Sequence, residues 1–164
     1  VLDSAALVEM QALAEKTDSG LLRFYVRLTA DTANIKSAVR ASRMKRDASF
    51  LERAIAPAGS LDRARLMEAA RLGEQAICDY LLETDYAGAV PALKRSVAAF
   101  EKWCGNLLMA HTKPSRFALS GIDPMAAYLL WRENEIAMVR LVLSAKVNRL
   151  DDAALRERLR EMYV

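Results

Sequence analysis

Histidine occurs once in this sequence, at His111, and cysteine twice, at Cys78 and Cys104. The two thiols form no CxxC pair and have no zinc-ligand spacing, which argues against a metal centre. Two thiols in a chain of this size fit a reducing compartment. Glycine (6) and proline (4) are scarce, which excludes glycine-rich phosphate loops, collagen and multi-turn β architectures. No apolar run approaches the ~18–20 residues that a membrane span needs, and there is no signal-peptide pattern. Lys and Arg (24) barely exceed Asp and Glu (21), a net charge of +3. That balance, without a basic stripe interleaved with aromatics, excludes nucleic acid as a partner. The chain opens on Val1, not Met, and enters a helical pattern at once, so we expect an N-terminal part of the whole protein to be missing.

What remains in abundance is helix. Over 164 residues, 53% hydrophobic and 27% charged describes a folded chain large enough for a core without staples. Ala, Leu, Arg, Glu, Lys and Met fill the long segments, and no alternating β-branched run appears. The spacing predicts roughly eight helices: 4–16, 20–45, a short one capped by Asp47, 61–71 capped by Ser60, 74–83, about 86–111 with Pro91 in its first turn, 124–146 opened by Asp123-Pro124, and a last one from Asp151 or Asp152 to about Met162. Gly73 separates two of them, and Asn148 is the expected left-handed cap. On helix 124–146, Tyr128, Leu129, Ile136, Val139 and Val142 or Leu143 are the expected inward face. The whole of 1–164 reads as an all-α multi-helix bundle, with a seam between two subdomains near 112–123. Asn34, Val39 and Arg40 recur at Asn134, Val139 and Arg140, a faint internal repeat.

Two stretches carry a resemblance. The first is Tyr128-Leu-Leu-Trp-Arg-Glu-Asn-Glu-Ile136, then Val139-Arg140, Ala145-Lys146, Leu150, Leu155-Arg156 and a closing Tyr163-Val164. The second is Asp31-Thr-Ala-Asn34-Ile35-Lys36 followed by Arg40, with Ala58-Gly59-Ser60-Leu61 beyond it. Together they resemble the C subunit of the V-type and A-type rotary ATPases (ATP synthases), the family to which the eukaryotic d subunit belongs. Ala145 stands where that family usually has Gly, Leu155 where it often has Ile, and Ala58 where its turn has a first Gly. The resemblance implies two related helical subdomains of a funnel-like fold of three, from a protein about twice this length. It also implies a non-catalytic rotor-coupling role. Such a protein links the central-stalk subunits to the membrane proteolipid ring, peripherally, on the cytoplasmic side, during ATP-driven or ATP-synthesising proton or sodium ion transport.

On its own chemistry, His111 reads as a helix C-terminal residue. Glu133 and Glu135, two apart on a helix, diverge and form no acid–base pair. Glu135 with Arg140, or Arg132, reads as a buried ion pair tying helices together, and breaking one costs ~3–5 kcal/mol. Cys78 and Cys104 read as buried inert thiols. The run from Arg40 through Arg43, Lys45 and Arg46 is the densest basic stretch, with Arg156, Arg158 and Arg160 second. It serves either as a solvated helix end or as contact with an acidic partner or anionic headgroups. Trp103, Trp131 and Tyr163 are candidate anchors, Trp103 reading rather as core and Trp131 as the partner residue. No catalytic, cofactor-binding or metal residue is expected. The competing readings are a generic helical adaptor, which lacks a regular repeat period, and an all-α enzyme, which lacks convergent carboxylates with His.

Overall fold

The computed structural model describes residues 2–117 and 120–160. Among them the architecture is all-α, with no strand: α1 (Leu2–Glu15), α2 (Gly20–Arg43), α3 (Ala48–Ala54), α4 (Arg63–Leu72), α5 (Glu74–Leu82), α6 (Val90–Arg95), α7 (Val97–Thr112), α8 (Asp123–Val147) and α9 (Asp152–Arg158), with 3-10 turns at Ala87–Ala89 and Lys113–Phe117. Met162, Tyr163 and Val164, expected at the end of the last helix and beyond it, lie outside the described residues.

Most helix ends follow the chemistry of their caps. Ser19 accepts the Leu22 N–H at 2.9 Å to open α2, and Asp47 accepts the Phe50 N–H at 3.0 Å to open α3. Gly73 separates α4 from α5 at φ +130, a conformation that favours glycine. Three ends depart from the sequence pattern. The cap of α4 is Asp62, which accepts the Arg65 N–H at 3.0 Å. Ser60 cannot serve there because its hydroxyl is given to Asp31 at 2.7 Å. The expected helix 86–111 is broken at Ser96, which is extended (φ −166, ψ 159) and accepts the Ala99 N–H at 2.9 Å to start α7 afresh. Pro91 does sit in the first turn of the separate α6. At the end of α8 the left-handed residue is Arg149 (φ +51), not Asn148, which caps at φ −88.

α2 is the axis of the packing. Helices α1, α3, α4, α5, α7 and α8 all lie against it, and it buries side chains along its length, from Leu21 to Ala41, while Arg23, Arg27 and Arg40 stay exposed. The main core joins Ile35, Val39, Leu51, Ile55, Leu66, Ile77, Leu81 and Phe100. A second cluster joins Leu21 of α2 and Met109 of α7 to Ala126, Ala127, Leu130 and Trp131 of α8. Ser19 also donates its hydroxyl to the Asp123 carboxylate, which ties the start of α2 to the start of α8.

α2 and α8 end alike. Past α2, Met44 N–H reaches Arg40 C=O, Lys45 N–H reaches Ser42 C=O and Arg46 N–H reaches Ala41 C=O, with Lys45 at φ +48. Past α8, Asn148 N–H reaches Ser144 C=O, Arg149 N–H reaches Lys146 C=O and Leu150 N–H reaches Ala145 C=O, with Arg149 at φ +51. This is the Schellman pattern, built on non-glycine residues. Counted from these ends, Asp31 corresponds to Glu135, Asn34 to Met138, Ile35 to Val139, Val39 to Leu143 and Ala41 to Ala145. The register is one helical turn away from the one the Asn34/Asn134 identities suggested.

The inward face of α8 is also corrected. Ala126, Ala127, Leu130, Trp131, Asn134, Met138 and Ala145 are buried. Tyr128, Leu129, Ile136, Val139 and Leu143 form the opposite face and are exposed. The helix carries apolar residues on both sides, and the described residues cover only one of them.

Candidate functional site

The Asp31–Asn34 segment holds a turn in place. Asn34 accepts the Ala56 N–H at 2.8 Å and donates its amide to Ala56 C=O and Ala58 C=O, each at 3.0 Å. Asp31, wholly buried, accepts the Ser60 N–H at 2.9 Å, the Leu61 N–H at 3.2 Å, the Ser60 hydroxyl and the Tyr86 hydroxyl at 2.8 Å. Gly59 between them sits at φ +99, and a Cβ there would run into the Asp31 carboxylate. Hence Asp, Asn and the Gly-containing turn occur together: two polar side chains one helical turn apart satisfy the backbone of a buried turn that would otherwise be orphaned. Burial and the neighbouring Asp31 charge push the Tyr86 phenol well above its usual range.

The basic stretch occupies the end of α2, beside the end of α4. A groove of about 580 Å³ is lined there by residues including Ser42, Lys45, Arg46, Asp47, Arg71 and Gly73. Arg43 makes a two-pronged pair with Glu74, both N–O distances 2.9 Å, which raises the guanidinium and lowers the carboxyl in pKa. Arg46 lies over the Phe50 ring at 5.4 Å. Lys45 is exposed. Arg40 and Arg43 in the last turn of α2, and Arg71 in that of α4, face helix carbonyl ends that favour cations. The structure therefore brings Arg43, Lys45 and Arg46 to one edge, but Arg43 is largely neutralised by Glu74.

Two expected site residues are placed elsewhere. Trp131 is 5% exposed within the second core cluster and offers a partner no surface. Glu135 pairs at 2.5 Å with Arg132, three residues earlier on the same helix, not with Arg140. Five positions separate Glu135 from Arg140, about 140° around the helix, and Arg140 is exposed. The ion pair is thus a surface pair within α8, not a buried tie between helices. Cys78 and Cys104 are free and buried. Burial raises both thiols, Cys104 to about 11, so they are held protonated at neutral pH. His111, in the last turn of α7, stacks on Phe24 with ring centroids 3.7 Å apart. Trp103 is partly buried against the main core. Among the described residues no group of three or more His, Cys, Asp or Glu could hold a metal ion. No helix among them is long and apolar enough to cross a membrane.

Sequence reasoning found the stripe of Tyr128, Leu129, Ile136 and Val139 but placed it inward, and missed the buried face of Ala126, Ala127, Leu130 and Met138 opposite it. Its signal was a second apolar stripe opposite the first, which the assumption of a single inward face hid.

The family model described as ATP synthase (C/AC39) subunit matches residues 1–158. The chain belongs to that family. It is 24% identical over 167 aligned residues to the C subunit of the V-type sodium ATPase of Enterococcus hirae, a match that takes in 99% of this chain and 51% of the relative. The chain thus spans about half the length of the curated relative it matches. No solved structure matches it. Of the two stretches that carry the resemblance to the C/AC39 family, one builds the Asp31–Asn34 clamp, and the other, up to its last described residues, runs along α8 and into α9.

Proposed function

We propose that this C/AC39 chain is part of a non-catalytic coupling subunit of a V- or A-type rotary ATPase. It joins the foot of the central stalk to the membrane proteolipid ring, on the cytoplasmic side and without a span of its own in the bilayer. The observation that carries this reading is the family match over residues 1–158, with a relative whose name is that of a V-type sodium ATPase component. The physical demands fit. A coupling part must pass torque without yielding, and long helices packed on a common axis, with turns clamped by buried Asp31 and Asn34, resist bending and slippage. It must also present surfaces to two neighbours, and the Lys45–Arg46 edge offers an acidic partner a steering field.

The test is direct binding. The full-length protein that contains this sequence is titrated by calorimetry with the purified central-stalk subunits of the same organism at physiological salt. A saturable one-to-one complex is expected. No complex, with both partners folded, overturns the coupling role and leaves a helical adaptor as the reading.

A further inference from the structure

The open stripe of α8 has a regular spacing. Met125, Leu129, Arg132, Ile136, Val139 and Leu143 recur at alternating steps of four and three residues. That is the spacing of a seam that receives another helix. Tyr128 and Val147 flank it, and all the apolar members are exposed. An apolar stripe along a whole helix, broken only at Arg132, marks a contact surface, not ordinary surface scatter.

The repeat says what kind of contact. In α2, Ile35 and Val39 are 0% and 2% exposed, while Val139 and Leu143, at the corresponding places in α8, are 55% and 58% exposed. Met138 and Ala145 are as buried as their counterparts Asn34 and Ala41, so the C-terminal halves of the two helices agree at these positions and differ at Val139 and Leu143. Ile35 and Val39 lie in a core that α3, α4, α5 and α7 of the same chain build against α2, with the Ser60–Leu61 turn seated on Asp31. α9, which follows α8 as α3 follows α2, packs against α7 as well as α8 and leaves the stripe open. The relative in Enterococcus hirae has about as much polypeptide again as this chain matches.

We propose that the Met125–Val147 stripe of α8 is an intramolecular docking face, covered by helices of the half of the C/AC39 protein that lies outside this match. The inference rests on family membership and not on the coupling role, so the two fail separately.

The experiment is methionine footprinting by dilute peroxide on the unmodified full-length protein, isolated as a monomer and read by mass spectrometry. Met125 lies on the stripe, Met44 is an exposed reference and Met109 a buried one. Met125 is expected to oxidise at least ten-fold more slowly than Met44, close to Met109. As a second readout, thiols introduced by Leu129→Cys and Leu143→Cys are labelled beside one introduced by Glu133→Cys, off the stripe. The first two are expected to react at least ten-fold more slowly. Met125 oxidising as fast as Met44, with Leu129→Cys and Leu143→Cys labelled as fast as Glu133→Cys, overturns the proposal. Protection that appears only when the protein dimerises, or only when stalk subunits are added, also overturns it, by assigning the face to a second copy or to a partner.

Discussion

Asp31 is the residue on which the turn after α3 depends. Asp31→Ala would leave the Ser60 and Leu61 N–H groups and the Tyr86 hydroxyl without their acceptor. An orphaned buried donor costs about 1–3 kcal/mol. The expected loss is about 3 kcal/mol or more in chemical denaturation, and Gly59→Ala should also destabilise through its positive φ and the clash with the same carboxylate. A variant as stable as the wild type would show that water replaces the carboxylate at no cost. Glu74 gives a pH-dependent test. Arg43 holds its carboxyl below the ordinary value of 4.5. A carboxyl with a depressed folded-state pKa contributes stability that is full above the ordinary range and is lost as pH falls through the folded value. The pair is half exposed and worth under about 1 kcal/mol. The difference in unfolding midpoint between wild type and Glu74→Gln should be constant near neutral pH and disappear as pH falls below the ordinary carboxylate range and through the lowered folded value. The clamp was legible as a motif, since Asp31, Asn34 and Gly59 stood out by resemblance. Its physics was not, because the partners of Asp31 lie some thirty and fifty-five residues away.

At the scale of the element, caps decided what periodicity could not. The apolar spacing from Val90 to Leu108 keeps helical phase across Ser96, so the break there is invisible to a period and visible only to the hydroxyl that caps the new helix. Ser96 also donates to the Glu157 carboxylate at 2.6 Å, holding α9 to the start of α7. Ser96→Ala should cost about 1–2 kcal/mol, the worth of a cap plus a charge-assisted bond, measured by thermal unfolding. Ser96→Asp should restore the cap but repel Glu157, recovering only part of the loss. The class, the Asp47 cap and the Gly73 break were legible because each rests on local chemistry, whereas Asp123, read as the cap of α8, lies inside the helix behind Ile122 and accepts from Ser19 instead. The buried face of α8 was not legible. Leu129, Ile136, Val139 and Leu143 have the pattern of a covered surface, and a pattern cannot say whether the cover comes from the neighbouring residues or from elsewhere.

For the whole molecule, charge placement matters more than the net +3. If the edge at the end of α2 steers an acidic partner, Lys45→Glu with Arg46→Glu should slow association several-fold at low salt and flatten its salt dependence, with little change in the dissociation rate. Arg43→Glu should instead act mainly by losing Glu74 and lowering stability. Stopped-flow rates at two ionic strengths separate these outcomes, and unchanged association rates would remove the edge from the encounter.

The two long helices, each about 36 Å from end to end, can also be viewed as beams. α2 is gripped from several sides, by α1, α3, α4, α5, α7 and α8. α8 is gripped along one edge and pinned at its start by Ser19 on Asp123. A beam held along one edge bends readily toward its open side, and a second edge restraint stiffens it steeply. On the proposal that further helices close over Leu129, Ile136 and Leu143, the stiffness of α8 is set by that cover, so conservative changes at these exposed positions should alter compliance before they alter the fold.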